Sequence, residues 1–294
     1  MSNLECETKE IDMFGISLIL ATIGRTHEIE HFLSSLEAQT HRDFELIVVD
    51  QNPDDRLVQI LAPYNDRFTM LHLRSKPGLS RALNLGLEHV SGDLVTFPGD
   101  DCQYSSDLLD KVAQFFSDHP ETEGLTGRSI DEHGNETNGT FDTQAGTVDR
   151  FNVWKRSTAY TIFLRLDSLR GARFDEEMGP GAGTIWGAGD DHDFLLQLLT
   201  KGASLYYDPE LTVLHPDPAS QFDDDEQLIR RAYTYDCGAG RAIRKHGFPL
   251  WFRAWWLIRP LGGLVLYLVG LKKWPRARYR WNILKGRFRG LLVA

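Results

Sequence analysis

The 294-residue chain holds 41% hydrophobic and 25% charged residues, an ordinary balance for a globular protein with room for one large core and an appendage. It has no internal repeat or low-complexity tract, residues 1–10 offer no apolar run for a secretory or transit peptide, and Cys6, Cys102 and Cys237 are too few and too scattered for a disulfide framework or a zinc site, which fits a reducing cytosol. The net charge of −10 hides a division: residues 1–236 carry 19 basic and 42 acidic side chains, whereas residues 237–294 carry 13 basic side chains and no acidic one.

In chain order, Ile16–Thr22 (ISLILAT) is a continuous apolar run of strand length, and the segment 27–40 places Ile29, Phe32, Leu33 and Leu36 on one helical face. Phe44–Asp50 (FELIVVD) reads as the next strand, 56–62 as a short helix, 70–74 as a third strand and 79–90 as a helix with Leu83, Leu87 and Val90 inward. Residues 94–97 make a fourth strand, stopped by Pro98 and Gly99, and 108–116 a further helix. Strands alternating with helices predict an α/β fold, a mostly parallel sheet with helices on both faces. Further on, 124–129 reads as a strand, 131–146 as a polar, exposed loop and 160–166 as another strand. Five glycines and a proline between residues 176 and 189 predict an irregular loop whose backbone can approach a ligand closely. A helix over 190–200 with Phe194, Leu195 and Leu198 buried, strands at 205–207 and 211–214, and a helix over 226–246 follow.

A carboxylate at the carboxyl end of a buried parallel strand stands where open α/β sheets bind ligands. Asp50 closes one such strand, and Asp100 with Asp101 follows another; paired carboxylates there suit Mg²⁺ or Mn²⁺, although helix capping and turn formation use the same residues. Asp190 and Asp191 open a helix behind the glycine loop, where an acid either complements the helix dipole or acts as a general base. His215 ends LTVLHP, placed to offer an imidazole to the same cation or to close a turn.

The ordered series ISLILAT with Arg25, FELIVVD, GLSRALNLGL, GDLVTFPGDDCQYSSDLL, GPGAGTIWGAGDDHDFLLQLLTKG and YYDPELTVLHP, over about two thirds of the chain, resembles the family 2 glycosyltransferases of the GT-A fold. The resemblance implies a tail over 1–14, a GT-A domain over 15–222 and a C-terminal helical region over 223–294. It implies that Thr22, Arg25, Asp50, Arg81 and Asp100 bind a nucleoside-diphosphate sugar, with UDP favoured over dTDP or GDP. Asp101 and His215 would hold Mn²⁺ or Mg²⁺, Trp186, Gly187 and Asp190 would meet a glycan or lipid-linked acceptor, and Asp191 would be the base of an inverting displacement in bacterial surface polysaccharide synthesis. Two departures accompany it: Gly99 stands where many relatives carry an aspartate, and Asp190 where a glutamate is more usual. The rivals are a sugar-phosphate nucleotidyltransferase, for which ATIGRTHE is a poor phosphate loop, and a non-catalytic nucleotide-sugar-binding protein.

In the tail, Trp251, Trp255, Trp256, Trp274 and Trp281 are interleaved with arginines and lysines, and the longest uncharged run, 260–271, is shorter than the roughly 20 residues of a spanning helix. The expectation is a helix lying peripherally on an anionic membrane at the cytoplasmic face, with packing on the acidic body as the competing use of these side chains. No module for nucleic acid accompanies the charge.

Overall fold

The structure, a computed structural model, describes residues 14–216, 225–270 and 274–293; Cys6 and the proposed boundary at 222–223 lie outside them. Its centre is one eight-stranded sheet built from β1 (Ile16–Thr22), β2 (Phe44–Asp50), β3 (Thr69–Arg74), β4 (Leu94–Thr96), β5 (Gly124–Ile130), β6 (Gly146–Thr147), β7 (Ile162–Arg165) and β8 (Leu205–Leu214), in the order β3-β2-β1-β4-β7-β5-β8-β6. Strands β1 to β4 run parallel, and β7 is inserted antiparallel between β4 and β5, so that β5 and its parallel neighbour β8 point the same way as the first four. Six strands therefore end at one edge of the sheet, where ligands of such sheets bind.

The uninterrupted apolar runs follow from coverage of both faces. Ile19, Ile47, Val49 and Val95 pack against Leu83 and Leu87 of α3 (Leu79–Leu87) and Phe194, Leu195 and Leu198 of α6 (Asp190–Thr200). Leu18, Leu20, Leu46 and Val48 face the other way, against Phe32, Leu33 and Leu36 of α1 (His27–Glu37) and Leu109, Val112 and Phe116 of α4 (Leu108–Asp118). The short helices α2 (Arg56–Leu61) and α5 (Val153–Arg156) complete this body.

Two sequence expectations are corrected. The separate strands at 205–207 and 211–214 are one strand, because β8 keeps its pairing with β5 across a bulge between Thr126 and Arg128, and Arg128 donates to the Pro209 carbonyl at 2.5 Å. Residues 131–146 are not simply an exposed loop: Phe141 joins the core, Thr137 is buried against Ser129, and Asn138 adopts φ 59° on the wall of the cavity described below.

Helices α7 (Asp225–Lys245), α8 (Leu250–Val265) and α9 (Trp274–Leu292) form the C-terminal region. Asp193 of α6, fully buried, accepts from Lys245 at 2.9 Å and His246 at 2.8 Å, tying α7 to the sheet domain. Part of the tail does pack on the acidic body: Phe252 and Trp256 enter the core, and Arg241 and Lys245 pair with Asp175. The rest does not, since Trp251, Trp255, Ile258, Val265, Leu266 and Val269 are exposed. The apolar helix also reaches beyond the uncharged run 260–271: α8 continues past Pro260 into π-helical turns, and Leu250–Val269 is 20 residues long, apolar enough by composition to cross a membrane and only 17% buried over its most apolar stretch.

Candidate active site

A cavity of about 800 Å³ opens over the carboxyl ends of the strands, between them and α7–α9. Its lining includes Arg25, Gln51, Gly78, Asp100, Asp101 and His215 together with Trp154, Asp190, Asp191, His192, Tyr235 and Trp256. Each group arrives by a short excursion from a rigid element, the first carboxylates from the turn after β4 and the second pair from the first turn of α6.

Arg25 bridges the first carboxylates, at 2.7 Å from Asp100 and 2.5 Å from Asp101. Thr22 donates to the other Asp100 oxygen at 2.7 Å, and His215 Nε2 lies 3.3 Å from Asp101 Oδ1. Burial pushes the Asp100 carboxyl up to about 6 despite Arg25. Asp101 is also buried, but the hydrogen bond and charge of His215, and then Arg25, hold it well below the usual carboxylate range. The His215 ring stacks on Tyr160 at 4.7 Å and its Nδ1 is held 2.7 Å from the Pro216 carbonyl, so Nε2 points at Asp101. A carboxylate and an imidazole beside a second carboxylate fit a divalent cation such as Mn²⁺. Cys102 Sγ also lies within 4.8 Å of these ligand atoms, but it is fully buried and its thiol is pushed well up by burial, which suits packing better than a hard cation.

Gly99 has a local reason. A Cβ there would sit 2.9 Å from Cys102 Sγ and 3.2 Å from Asp101 Oδ1, so in this turn a side chain would have to displace the very groups that surround Asp101.

At α6, Gly189 caps the helix with φ 80°, a left-handed conformation that glycine adopts without strain. Asp190 is 4% exposed, and burial followed by the Asp191 charge raises it to about 7 although a backbone N–H donates to its carboxyl. Asp191 is the opposite case: although burial resists ionisation, the His192 charge and hydrogen bond lower it. His192 Nδ1 lies 2.8 Å from Asp191 Oδ1, and its ring stacks 4.7 Å from Trp154 at an interplanar angle of 9°.

The glycosyl transferase family 2 profile matches residues 17–165, just over half of the chain. The chain belongs to that family. It is 30% identical over 155 residues to a PGL/p-HBAD biosynthesis glycosyltransferase of Mycobacterium bovis, covering 51% of this chain and 58% of the relative. It is 29% identical over 184 residues to the GalNAc(5)-diNAcBac-PP-undecaprenol beta-1,3-glucosyltransferase of Campylobacter jejuni, covering 58% of each chain. The chain thus matches somewhat over half the length of these relatives. Its fold is similar to that of a mannosyltransferase from Pyrobaculum calidifontis solved with GDP-Man and Mn²⁺, with a TM-score of 0.60 and 16% identity over 95% of this chain and 87% of the other. That likeness, with the mostly parallel sheet and the helices on both faces, makes the fold GT-A.

For this family 2 member, the structure places Arg25, Asp100, Asp101, Asp190, Asp191 and His215 on the cavity wall and Thr22 directly behind Asp100. Other predicted residues lie elsewhere. Asp50 is fully buried, its oxygens taken by Asn52 at 2.8 Å, His72 at 3.1 Å and Arg74 at 3.1 Å, and Gln51 faces the cavity instead. Arg81 is 3.1 Å from Glu176 and donates to the Pro77 carbonyl, off the cavity wall. Trp186 packs with Met178, Cys237 and Ala242 under Arg241, and Gly187 donates to the Thr234 carbonyl at 3.0 Å, so both fasten the glycine loop to α7. Sequence reasoning missed Trp154, His192, Tyr235 and Trp256; only His192, inside the DDHD segment, carried a local signal.

The buried Asp190 makes a stability prediction. Its folded-state value lies above the unfolded one, so its ionisation destabilises the fold increasingly as pH rises from about 4 through 7. Asp190→Asn, which cannot ionise, is expected to be more stable than wild type by about 2–4 kcal/mol at pH 8 and near neutral in effect at pH 4. Denaturant unfolding at the two pH values checks it, and an equal effect at both would refute the assignment.

Proposed function

We propose that this chain is an inverting, divalent-cation-dependent glycosyltransferase that moves a sugar from a nucleoside-diphosphate donor to a glycan or lipid-linked acceptor in surface polysaccharide or glycolipid assembly. The observation that carries this reading is one cavity lined both by Asp101 with His215 and by Asp191, whose carboxyl is held in the ionised form by His192. The donor lies along Arg25, Gln51 and Asp100, and the acceptor enters between Trp154, Tyr235 and Trp256. Asp101 and His215 are the residues that would hold the cation, which when bound supplies positive charge beside the departing diphosphate. Arg25 fixes the orientation of both Asp100 and Asp101, and Asp191 accepts the acceptor hydroxyl proton as that oxygen attacks the anomeric carbon. A single displacement inverts the configuration, with no carboxylate nucleophile. The exposed side of Leu250–Val269 and the basic tail meet an anionic membrane at its cytoplasmic face, which matches a lipid-linked acceptor. The relative named for an undecaprenol-linked substrate supports that acceptor class, and the neighbour solved with GDP-Man and Mn²⁺ supports the donor class and the cation.

Calorimetric titration with UDP, dTDP, GDP and CMP, with and without Mn²⁺, tests this reading. One nucleotide is expected to bind about tenfold or more tightly with Mn²⁺. Asp101→Ala is expected to lose that gain. No binding of any nucleotide under either condition would overturn the proposal.

A further inference from the structure

A second pocket, of about 310 Å³, lies between the first turns of α7 and α9 and the π-helical end of α8. Leu228 and Ile229 form its apolar wall, Tyr267 and Tyr279 bring phenols, and Arg276 and Arg280 bring guanidinium groups. The arginines are one helical turn apart on α9, where like charges repel unless an anion lies between them. Among the described residues neither makes an ion pair, whereas their neighbours are neutralised: Arg278 by Glu226 at 2.7 Å and Arg287 by Asp236 at 2.7 Å. The field of Asp236 reaches Arg280, but its carboxylate is already bonded to Arg287. Arg276 lies 5.8 Å over the Tyr267 ring, which orients it without neutralising it.

We propose that this pocket binds the phosphate of a long-chain phospholipid or polyprenyl phosphate. Two guanidinium forks and two phenols match phosphate oxygens, and Leu228 with Ile229 matches the first carbons of the chain. The pocket opens beside the strip that supplies such a lipid, because Tyr267 stands between the exposed Leu266 and Leu268. The same helix, α7, borders both the pocket and the active-site cavity. Ile229 lines the pocket and Tyr235 lines the cavity, six residues and about 9 Å apart at the helical rise. A lipid-linked acceptor anchored here by its phosphate presents its sugar end to the cavity. That last step rests on the function proposed above; phosphate binding does not.

The test is binding of the full chain to neutral phosphatidylcholine vesicles, alone or doped at equal charge with polyprenyl phosphate or with phosphatidylglycerol, for wild type, R276Q/R280Q and R276K/R280K. Wild type is expected to bind polyprenyl phosphate vesicles about tenfold more tightly than neutral ones. Both double variants should lose that gain and keep neutral-vesicle binding through α8; the lysine pair keeps the charge but lacks the forked donors. A gain for polyprenyl phosphate alone assigns the acceptor's own phosphate, and an equal gain for phosphatidylglycerol that both variants lose assigns a bilayer headgroup. A gain that the lysine pair retains in full means diffuse charge attraction and overturns the pocket, as does no gain in wild type. Nucleotide titration of the same samples separates this result from the function: a lost lipid gain with nucleotide binding intact fails the pocket only, and the reverse fails the transferase only.

Discussion

Asp191→Asn should leave nucleotide binding unchanged while lowering kcat by about 10²–10⁴-fold, the usual contribution of a positioned general base. The side chain is isosteric, so the first turn of α6 and its glycine cap remain, and only the proton acceptor is removed. The electrostatics support this choice between the adjacent acids. Burial keeps Asp190 protonated up to about 7, whereas His192 keeps Asp191 ionised below the usual carboxylate range. Two neighbouring carboxyls driven apart in this way divide the roles of neutral and charged group. The same geometry fixes the sign of a pH effect: with His192→Ala the acid limb of kcat/KM moves to higher pH, because the group that favours the Asp191 carboxylate is gone. Measured kcat and nucleotide Kd for Asp191→Asn decide the matter, and a variant retaining more than about a tenth of wild-type kcat would remove Asp191 from the role.

Gly238→Ala should destabilise the protein by about 1–3 kcal/mol or more and impair the active site, although residue 238 lies outside the cavity lining. A Cβ at Gly238 would stand 1.8 Å from the Ala188 carbonyl oxygen and 2.7 Å from its carbon, a clash with backbone that no rotamer relieves. Ala188 and Gly189 lead directly into Asp190 and Asp191, so moving α7 outward moves the acids too. Gly262→Ala is the contrast within the same helical region. Beyond the helix's own backbone, no atom of the described residues lies within 4 Å of the place a methyl group would take there on α8, and alanine is expected to add about 0.5–1 kcal/mol of helix stability. Thermal denaturation of the two variants should move the midpoint in opposite directions. A Gly238→Ala protein as stable and active as wild type would show that α7 docks differently.

The body of the fold was legible because its signals are local. An apolar run of seven residues covered on both faces, a helix with its stripe at every third or fourth position and an acid at a strand end all depend on near neighbours, so β1, β2, α1 and the start of α6 stand where their sequences put them. The acids at 100, 101, 190 and 191 could be named for the same reason, as could His215 at the end of β8. Burial and pairing by distant residues were not legible. Nothing around Asp50 announces that His72 and Arg74 from the next strand will occupy it, and nothing around Trp186 announces that Cys237 and Ala242 will cover it.

The sequence alone thus determined the alternation of the first four strands with their helices, the edge of the sheet that carries the acids and the division of charge between body and tail. The tertiary structure decided which carboxylate is ionised, which aromatic rings close the cavity and which face of α8 stays uncovered. Trp154 meets His192 from 38 positions away and Trp256 meets Trp154 from 102 away, and only the path of the folded chain brings such residues into one low-dielectric space where their charges and rings act on each other.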